Sequence, residues 1–235
     1  MNLLLLEERD FVAADRVRLG GRRREHAATV LGAETGDELR VGLLGGSVGT
    51  GRVLRLDEET LDLEVTLDRE PPPKLPLDLV LALPRPKVLR RVLQTVAALG
   101  IERLFLLHAY RVEKSYWQSP FLEPQAVAAQ LALGLEQAGD TRPPVVELRR
   151  RFKPFVEDEL PALAAGRRGL VAHPPGGGPC PRQVDGPVTL AVGPEGGFIP
   201  YEIERLTATG LEAVHLGPRI LRVETVIPTL VGRLF

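Results

Sequence analysis

The stretch Pro187-Val188-Thr189-Leu190-Ala191-Val192-Gly193-Pro194-Glu195-Gly196-Gly197-Phe198-Ile199-Pro200 reads as a short buried strand, a glycine-rich turn and the opening of a helix. A run of apolar residues too short for a helix and bounded by turn signals is what a strand covered on both faces looks like. Pro200 then sits where a proline is welcome, at the first helical position, because its missing N–H would be unpaired there anyway. This β–loop–α unit repeats on both sides. Downstream, a helix over Pro200–Thr209 leads to a strand at Ala213–Leu216 and a final helix over Val223–Phe235. Upstream, the spacing predicts a strand at Asp78–Leu83 and a helix from Pro86 with apolar Leu89, Val92, Leu93, Val96 and Leu99, stopped by Gly100. A strand at Arg103–Leu107, a helix over Pro120–Gln137, strands at Val145–Leu148 and Gly169–Ala172 and an intervening helix complete the series. Alternating strands and helices of this kind make a mostly parallel sheet with helices on its faces.

That pattern begins only after Pro71-Pro72-Pro73-Lys74-Leu75-Pro76, a stiff, donor-poor connector. Before it the periodicity is two. Glu38–Leu43 and Gly51–Leu56 alternate around Gly45-Gly46, and Leu61, Leu63, Val65 and Leu67 follow at strict alternation. One short helix over Arg23–Leu31 is expected, and the remainder reads as a small barrel or sandwich. The expected organisation is therefore a β-domain over 1–70 and an α/β domain over 71–235.

Composition narrows the class. The chain has 235 residues, 44% hydrophobic and 26% charged, which excludes a disordered protein. Cys180 is the single cysteine, so no intrachain disulfide or cysteine-based zinc site can form, and His26, His108, His173 and His215 lack ligand spacing, so no metal is expected. No apolar run reaches the ~18 residues of a membrane span. Leu3-Leu4-Leu5-Leu6 is cut off by Glu7 and Glu8, so it is not read as a leader and a cytoplasmic location is expected. Residues 1–70 carry 10 basic and 15 acidic side chains, yet Arg16, Arg18, Arg22, Arg23 and Arg24 crowd into nine positions. Such a cluster is either a solvated face or a phosphate-contacting patch.

Ligands of parallel sheets bind beyond the carboxyl ends of the strands. Three such ends are unusual here: His173-Pro174-Pro175-Gly176-Gly177-Gly178, Gly193–Gly197, and Gly217-Pro218-Arg219-Ile220-Leu221-Arg222-Val223-Glu224-Thr225. Glycines let the main chain approach a ligand closely. No Gly-Lys-Ser/Thr follows Gly193–Gly197, and Glu195 would repel a triphosphate, so a neutral or cationic nucleoside suits the loop better. A plain strand-to-helix turn explains that segment equally well. Ile220 and Leu221 are apolar where a loop should be polar and must pack on core or on a flat ligand. Arg222 and Glu224 could be no more than a surface pair.

Gly193-Pro194-Glu195-Gly196-Gly197-Phe198 together with Leu216-Gly217-Pro218-Arg219-Ile220-Leu221-Arg222-Val223-Glu224-Thr225 resembles the paired signature of the SPOUT-class RNA methyltransferases. The similarity is greatest to the RsmE type, which methylates N3 of a uridine in small-subunit (16S) ribosomal RNA. Leu99-Gly100-Ile101 and Glu136–Val145 agree with it. The resemblance implies a PUA-like N-terminal barrel that binds RNA and a C-terminal SPOUT domain with a trefoil knot. It implies S-adenosylmethionine as cofactor, held by Leu170, His173, Gly193, Pro194, Glu195, Gly196, Gly197, Leu216, Gly217, Ile220, Leu221, Arg222 and Thr225. Arg222 and Glu224 would serve catalysis, and Arg16, Arg18, Arg22, Arg23 and Arg24 would hold RNA. The implied partners are 16S ribosomal RNA or the small ribosomal subunit and a second copy of the chain. The apolar residues of the last helix, Val223, Val226, Ile227, Leu230, Val231 and Leu234, cover more than one face, as an interface helix would. The alternatives are a non-catalytic RNA-binding assembly factor with a vestigial cofactor pocket, and a nucleotide-binding enzyme acting on a small molecule.

Overall fold

A computed structural model describes residues 2–174 and 176–235 as two compact units. The first unit gathers Met1–Pro73 with Leu131–Pro143, and the second gathers Lys74–Gln130 with Pro144–Phe235. A segment that sequence order places in the α/β half, Leu131–Pro143, packs with the β half.

The first unit contains strands β1 (Leu4–Leu6), β2 (Phe11–Ala13) and β3 (Arg16–Leu19), helix α1 (Gly21–Thr29), and strands β4 (Glu38–Leu43), β5 (Val48–Leu56) and β6 (Leu61–Arg69). They form one sheet in the order β1-β4-β5-β6-β3-β2. Only β1 and β4 run parallel; the other neighbours are antiparallel. Alternation delivers Leu61, Leu63 and Val65 of β6 to a core with Leu4, Leu6, Val17, Leu19, Val41 and Val53. Three strands were hidden from pattern reading, the short β2 among them. Leu4–Leu6 is a fully buried strand rather than an isolated apolar run. Arg16-Val17-Arg18-Leu19 is an alternating strand whose charged side faces out. The connector is held too: the Arg142 guanidinium donates to the Pro72 carbonyl at 2.6 Å.

The second unit begins with β7 (Leu75–Ala82), α2 (Pro86–Ala98) and β8 (Ile101–Leu107). Two 3-10 turns, Lys114–Gln118 and Pro120–Leu122, precede α3 (Pro124–Ala138), which belongs to this unit as far as Gln130. The helix expected from Pro120 thus starts four residues later, because Glu123 before Pro124 is extended at φ −60°, ψ 137°. Strand β9 (Val145–Arg149) is followed by α4 (Phe152–Pro154), a π-helical turn at Phe155–Glu159 and α5 (Leu160–Ala164). Then come β10 (Arg168–Ala172), β11 (Gly178–Pro179), β12 (Val188–Val192), α6 (Pro200–Ala208), β13 (Glu212–His215) and α7 (Val223–Leu234).

The seven strands run in the order β11-β13-β10-β12-β7-β8-β9, and every neighbouring pair is parallel. Every residue of β12 is buried, which is why it reads as a continuous apolar run. From β7 the chain first builds outward through β8 and β9, then returns to build β10, β12 and β13 on the other side. That reversal is the topological switch beside which open parallel sheets bind ligands. At the opposite end, fully buried Asp78 accepts two bonds from Arg103 and lies 3.3 Å from Arg167 Nε. The Asp78 hydrogen bonds outweigh partial burial and raise the Arg103 pKa above its usual value. Helix α7 spends its apolar side within the chain: Val223, Ile227, Leu230, Val231 and Leu234 are buried. No helix among the described residues is long and apolar enough to cross a membrane.

Candidate active site

Parallel strands deliver their carboxyl ends to one edge, and three loops meet there. A cavity is lined by Ala172, His173 and Pro174 after β10, by Val192, Gly193, Pro194, Glu195 and Gly197 after β12, and by Val214 to Leu216 with Arg219 to Leu221 after β13. Val223, Val226 and Leu230 of α7 close it from below the loop. A second cavity adjoins it, sharing His173, Glu195, Gly197, His215 and Ile220, and is extended by Arg111, Gly196, Phe198 and Gly217.

Local chemistry shapes each loop. A Cβ on Gly193 would lie 3.0 Å from the Phe198 nitrogen, so a side chain there would press on the main chain that closes the turn. The Gly197 N–H donates to the Pro194 carbonyl at 2.7 Å to seal it. Gly217 has φ +118°, and its N–H donates to His215 Nδ1 at 3.0 Å, fixing the start of the third loop. Burial lowers the pKa of His173, so the imidazole facing the cavity stays neutral near neutral pH. Glu195 accepts the Arg85 N–H at 3.2 Å, tying the glycine loop to the first turn of α2.

The sequence-predicted residues divide cleanly. His173, Gly193, Pro194, Glu195, Gly197, Leu216, Ile220 and Leu221 line the first cavity, and Gly196 and Gly217 line the second. Leu170, Arg222, Glu224 and Thr225 line neither. Leu170 is wholly buried inside β10, facing the sheet core instead of the loops. Arg222 is exposed at the N-cap of α7, and Glu224 lies 3.9 Å from Arg91. Ile220 does not pack on the core: it is 87% exposed beside both cavities.

Three contributors were not singled out in the sequence. Glu202, 2% exposed, accepts the Tyr110 N–H at 2.7 Å and the Ile199 N–H at 3.0 Å, joining the loop after β8 to the start of α6. Arg111 donates to the Gly196 carbonyl, and a Cβ on Gly196 would lie 2.9 Å from its Cδ. The apolar floor of Ala172, Val192 and Val214 comes from strand ends. Only the last carried a signal, the predicted strand termini; the other two contacts span 92 and 85 positions.

In the first unit the arginine cluster is committed internally. Arg18 grips Asp62 at 2.7 and 3.0 Å, Arg22 grips Glu136 at 2.8 and 2.9 Å, and Arg23 grips Asp10 at 2.5 and 2.7 Å. Arg24 donates to the Asp57 carbonyl at 2.6 Å. Arg16 is exposed on β3.

A neutral or cationic nucleoside fits the second unit's cavity. Main-chain groups supply its donors and acceptors, its floor is apolar, and Glu195 supplies a carboxylate rather than a phosphate-binding lysine. Comparison with known proteins agrees. Residues 71–234 match the family described as RNA methyltransferase domain. A ribosomal RNA small subunit methyltransferase E from Treponema pallidum is 29% identical over 96% of this chain and 87% of its own. A protein of the same name from Mycobacterium bovis is 28% identical over 88% and 81%. The crystal structure of such an enzyme from Neisseria gonorrhoeae, bound to S-adenosyl methionine, shares the fold with a TM-score of 0.73 at 21% identity, covering 98% of this chain and 95% of the other.

Proposed function

The chain belongs to the RNA methyltransferase domain family, and from that premise we infer that it transfers the methyl group of S-adenosylmethionine to N3 of a uridine in small-subunit (16S) ribosomal RNA. The observation that carries this reading is the meeting of three loops, two glycine-punctuated and one bearing Ile220, over an apolar floor at the carboxyl edge of β10, β12 and β13. The relatives named ribosomal RNA small subunit methyltransferase E support the substrate.

S-adenosylmethionine supplies an already activated methyl group, so the protein's work is positioning and charge stabilisation. His173, Gly193, Pro194, Glu195, Gly197, Leu216 and Leu221 would hold it, and Ile220 would cover it. Uridine N3 must lose its proton, which spreads negative charge over the two flanking carbonyl oxygens. A cationic donor there lowers the barrier. Arg222, exposed and without an ion-pair partner among the described residues, stands at the positive end of α7 and would orient the base or stabilise its anion. Glu195 and Glu224 would hold neighbouring cations, as their approaches to Arg85 and Arg91 suggest. Neutral His173 contributes no positive charge against the sulfonium.

The PUA-like barrel, the trefoil knot and the homodimer implied by the resemblance belong to this reading, as does a cytoplasmic location beside the ribosome. Exposed Ile220 and Phe235 offer apolar surface for a second copy. Calorimetry with S-adenosylhomocysteine and separately with ATP tests the pocket: the first should bind and the second should not. Methyl transfer to small subunits lacking the modification tests the reaction. Arg222→Ala should bind S-adenosylhomocysteine normally and lose transfer; full transfer by that variant would remove the arginine from the chemistry. Sedimentation as a monomer at working concentration would remove the dimer.

A further inference from the structure

A group of exposed basic side chains lies in the second unit, at the carboxyl ends of β7, β8 and β9. Helix α2 carries Lys87, Arg90 and Arg91 and no acidic residue. Beyond β8 come Arg111 and Lys114, and beyond β9 come Arg150 and Arg151. Lys87, Arg90, Arg111, Lys114, Arg150 and Arg151 are all exposed and have no carboxylate within ion-pair distance among the described residues. Aromatic rings are interleaved with them: Arg90 lies 5.1 Å from the Phe121 ring centre and Arg150 lies 5.3 Å from that of Trp117.

Within this surface Tyr110 stands out. Its side chain is 77% exposed although its main chain is fixed, by the bond from its N–H to buried Glu202. The loop that bears it is fastened twice more. Trp117 Nε1 donates to His108 Nδ1 at 2.9 Å, and Arg111 donates to Gly196 in the glycine loop. A large ring held out on a fixed main chain presents a stacking face without further ordering. A fixed aromatic face beside unpaired cations is what single-stranded nucleic acid needs, since every base has a face to stack and every linkage a phosphate to neutralise.

We propose that single-stranded RNA flanking the target uridine lies across the carboxyl ends of β7–β9, with one unpaired base stacked on Tyr110 and its phosphates on Lys87, Lys114, Arg150 and Arg151. Because Arg111 touches both this loop and the glycine loop, the track leads from the surface to the second cavity. The proposal rests on the methyl-transfer reading for its target, but the surface itself can be tested apart from it.

The test measures binding of a fluorescent single-stranded oligouridylate, and of a duplex RNA of equal charge, over a range of salt. Wild-type protein should prefer the single strand. Tyr110→Ala should weaken it about tenfold or more, the usual effect of losing one base–aromatic stack, while Tyr110→Phe stays near wild type. Replacing Lys87, Lys114 and Arg151 together by alanine should lower the salt slope by about two. S-adenosylhomocysteine affinity should be unchanged in all three variants, which shows them folded. Unchanged oligouridylate affinity in Tyr110→Ala, an unchanged salt slope in the triple variant, or equal binding of duplex by wild type would overturn the surface. Oligouridylate binding that behaves as expected, in a protein that binds no S-adenosylhomocysteine, would instead sink the methyl-transfer reading and leave the surface standing.

Discussion

Two groups of arginines in this protein look alike in sequence and differ in what holds them. Those of the first unit crowd into nine positions, yet Arg18, Arg22 and Arg23 each grip a carboxylate with both ends of the guanidinium. Those of the second unit, Arg90 and Arg91 on α2, Arg111 after β8 and Arg150 and Arg151 after β9, face solvent, and all but Arg91 lack a carboxylate within ion-pair distance among the described residues. For Arg23, 17% exposed against Asp10 at 7%, burial works against the charge and the Asp10 hydrogen bonds more than restore it, leaving its pKa raised. Charge density along the chain therefore says little about charge available to a ligand; the balance of nearby carboxylates, brought in from far along the chain, decides it.

The comparison is broken most directly by taking away a paired cation. Arg23→Ala strands a buried carboxylate and should lower the unfolding free energy of the first unit by about 3 kcal/mol in a urea titration. Oligouridylate affinity of the folded fraction should hold. A large loss of RNA affinity at unchanged stability would reverse the assignment of the two groups.

A smaller effect is expected where a cation of the second unit also has a structural bond. Arg111→Ala removes a charged donor from the Gly196 carbonyl and should weaken S-adenosylhomocysteine binding by about 1.5 kcal/mol, read by calorimetry. Unaltered affinity would mean that the glycine loop keeps its shape unaided.

His173 sharpens the picture through pH. Its folded-state pKa is depressed by burial, so below the ordinary histidine value the unfolded chain takes up a proton that the native state resists. Stability of the second unit should fall as pH drops through that window, and His173→Gln should flatten the melting temperature against pH. The smallest effect is reserved for Arg16, exposed on β3: Arg16→Ala should leave stability within about 0.5 kcal/mol. The salt slope of RNA binding should stay unchanged as well, and a fall of about one, the share of one phosphate contact, would return RNA binding to the first unit.

Much of this was legible from residue order, for identifiable reasons. Strands β6 and β12 announce themselves because one is half-covered and alternates, and the other is covered on both faces and does not. The glycines at 193, 196 and 197 mark a turn in which a side chain at Gly193 would crowd the Phe198 main chain. Strand β3 was obscured because its outward arginines dominate its inward Val17 and Leu19. Glu202, Arg111 and Tyr110 matter only through partners some 85 to 92 positions away, which no local pattern encodes. Arg222 and Thr225 were assigned to the cofactor by resemblance alone; both are exposed at the start of α7 and line neither cavity.

The chain contains one tryptophan, and it lies within the loop after β8, bonded to His108 and overlaid by Arg150. Its emission is accordingly a label that needs no chemistry to install. Any molecule that pulls the Arg150 guanidinium away from the indole should alter the fluorescence, giving a real-time signal for the loading of this face in the unmodified protein.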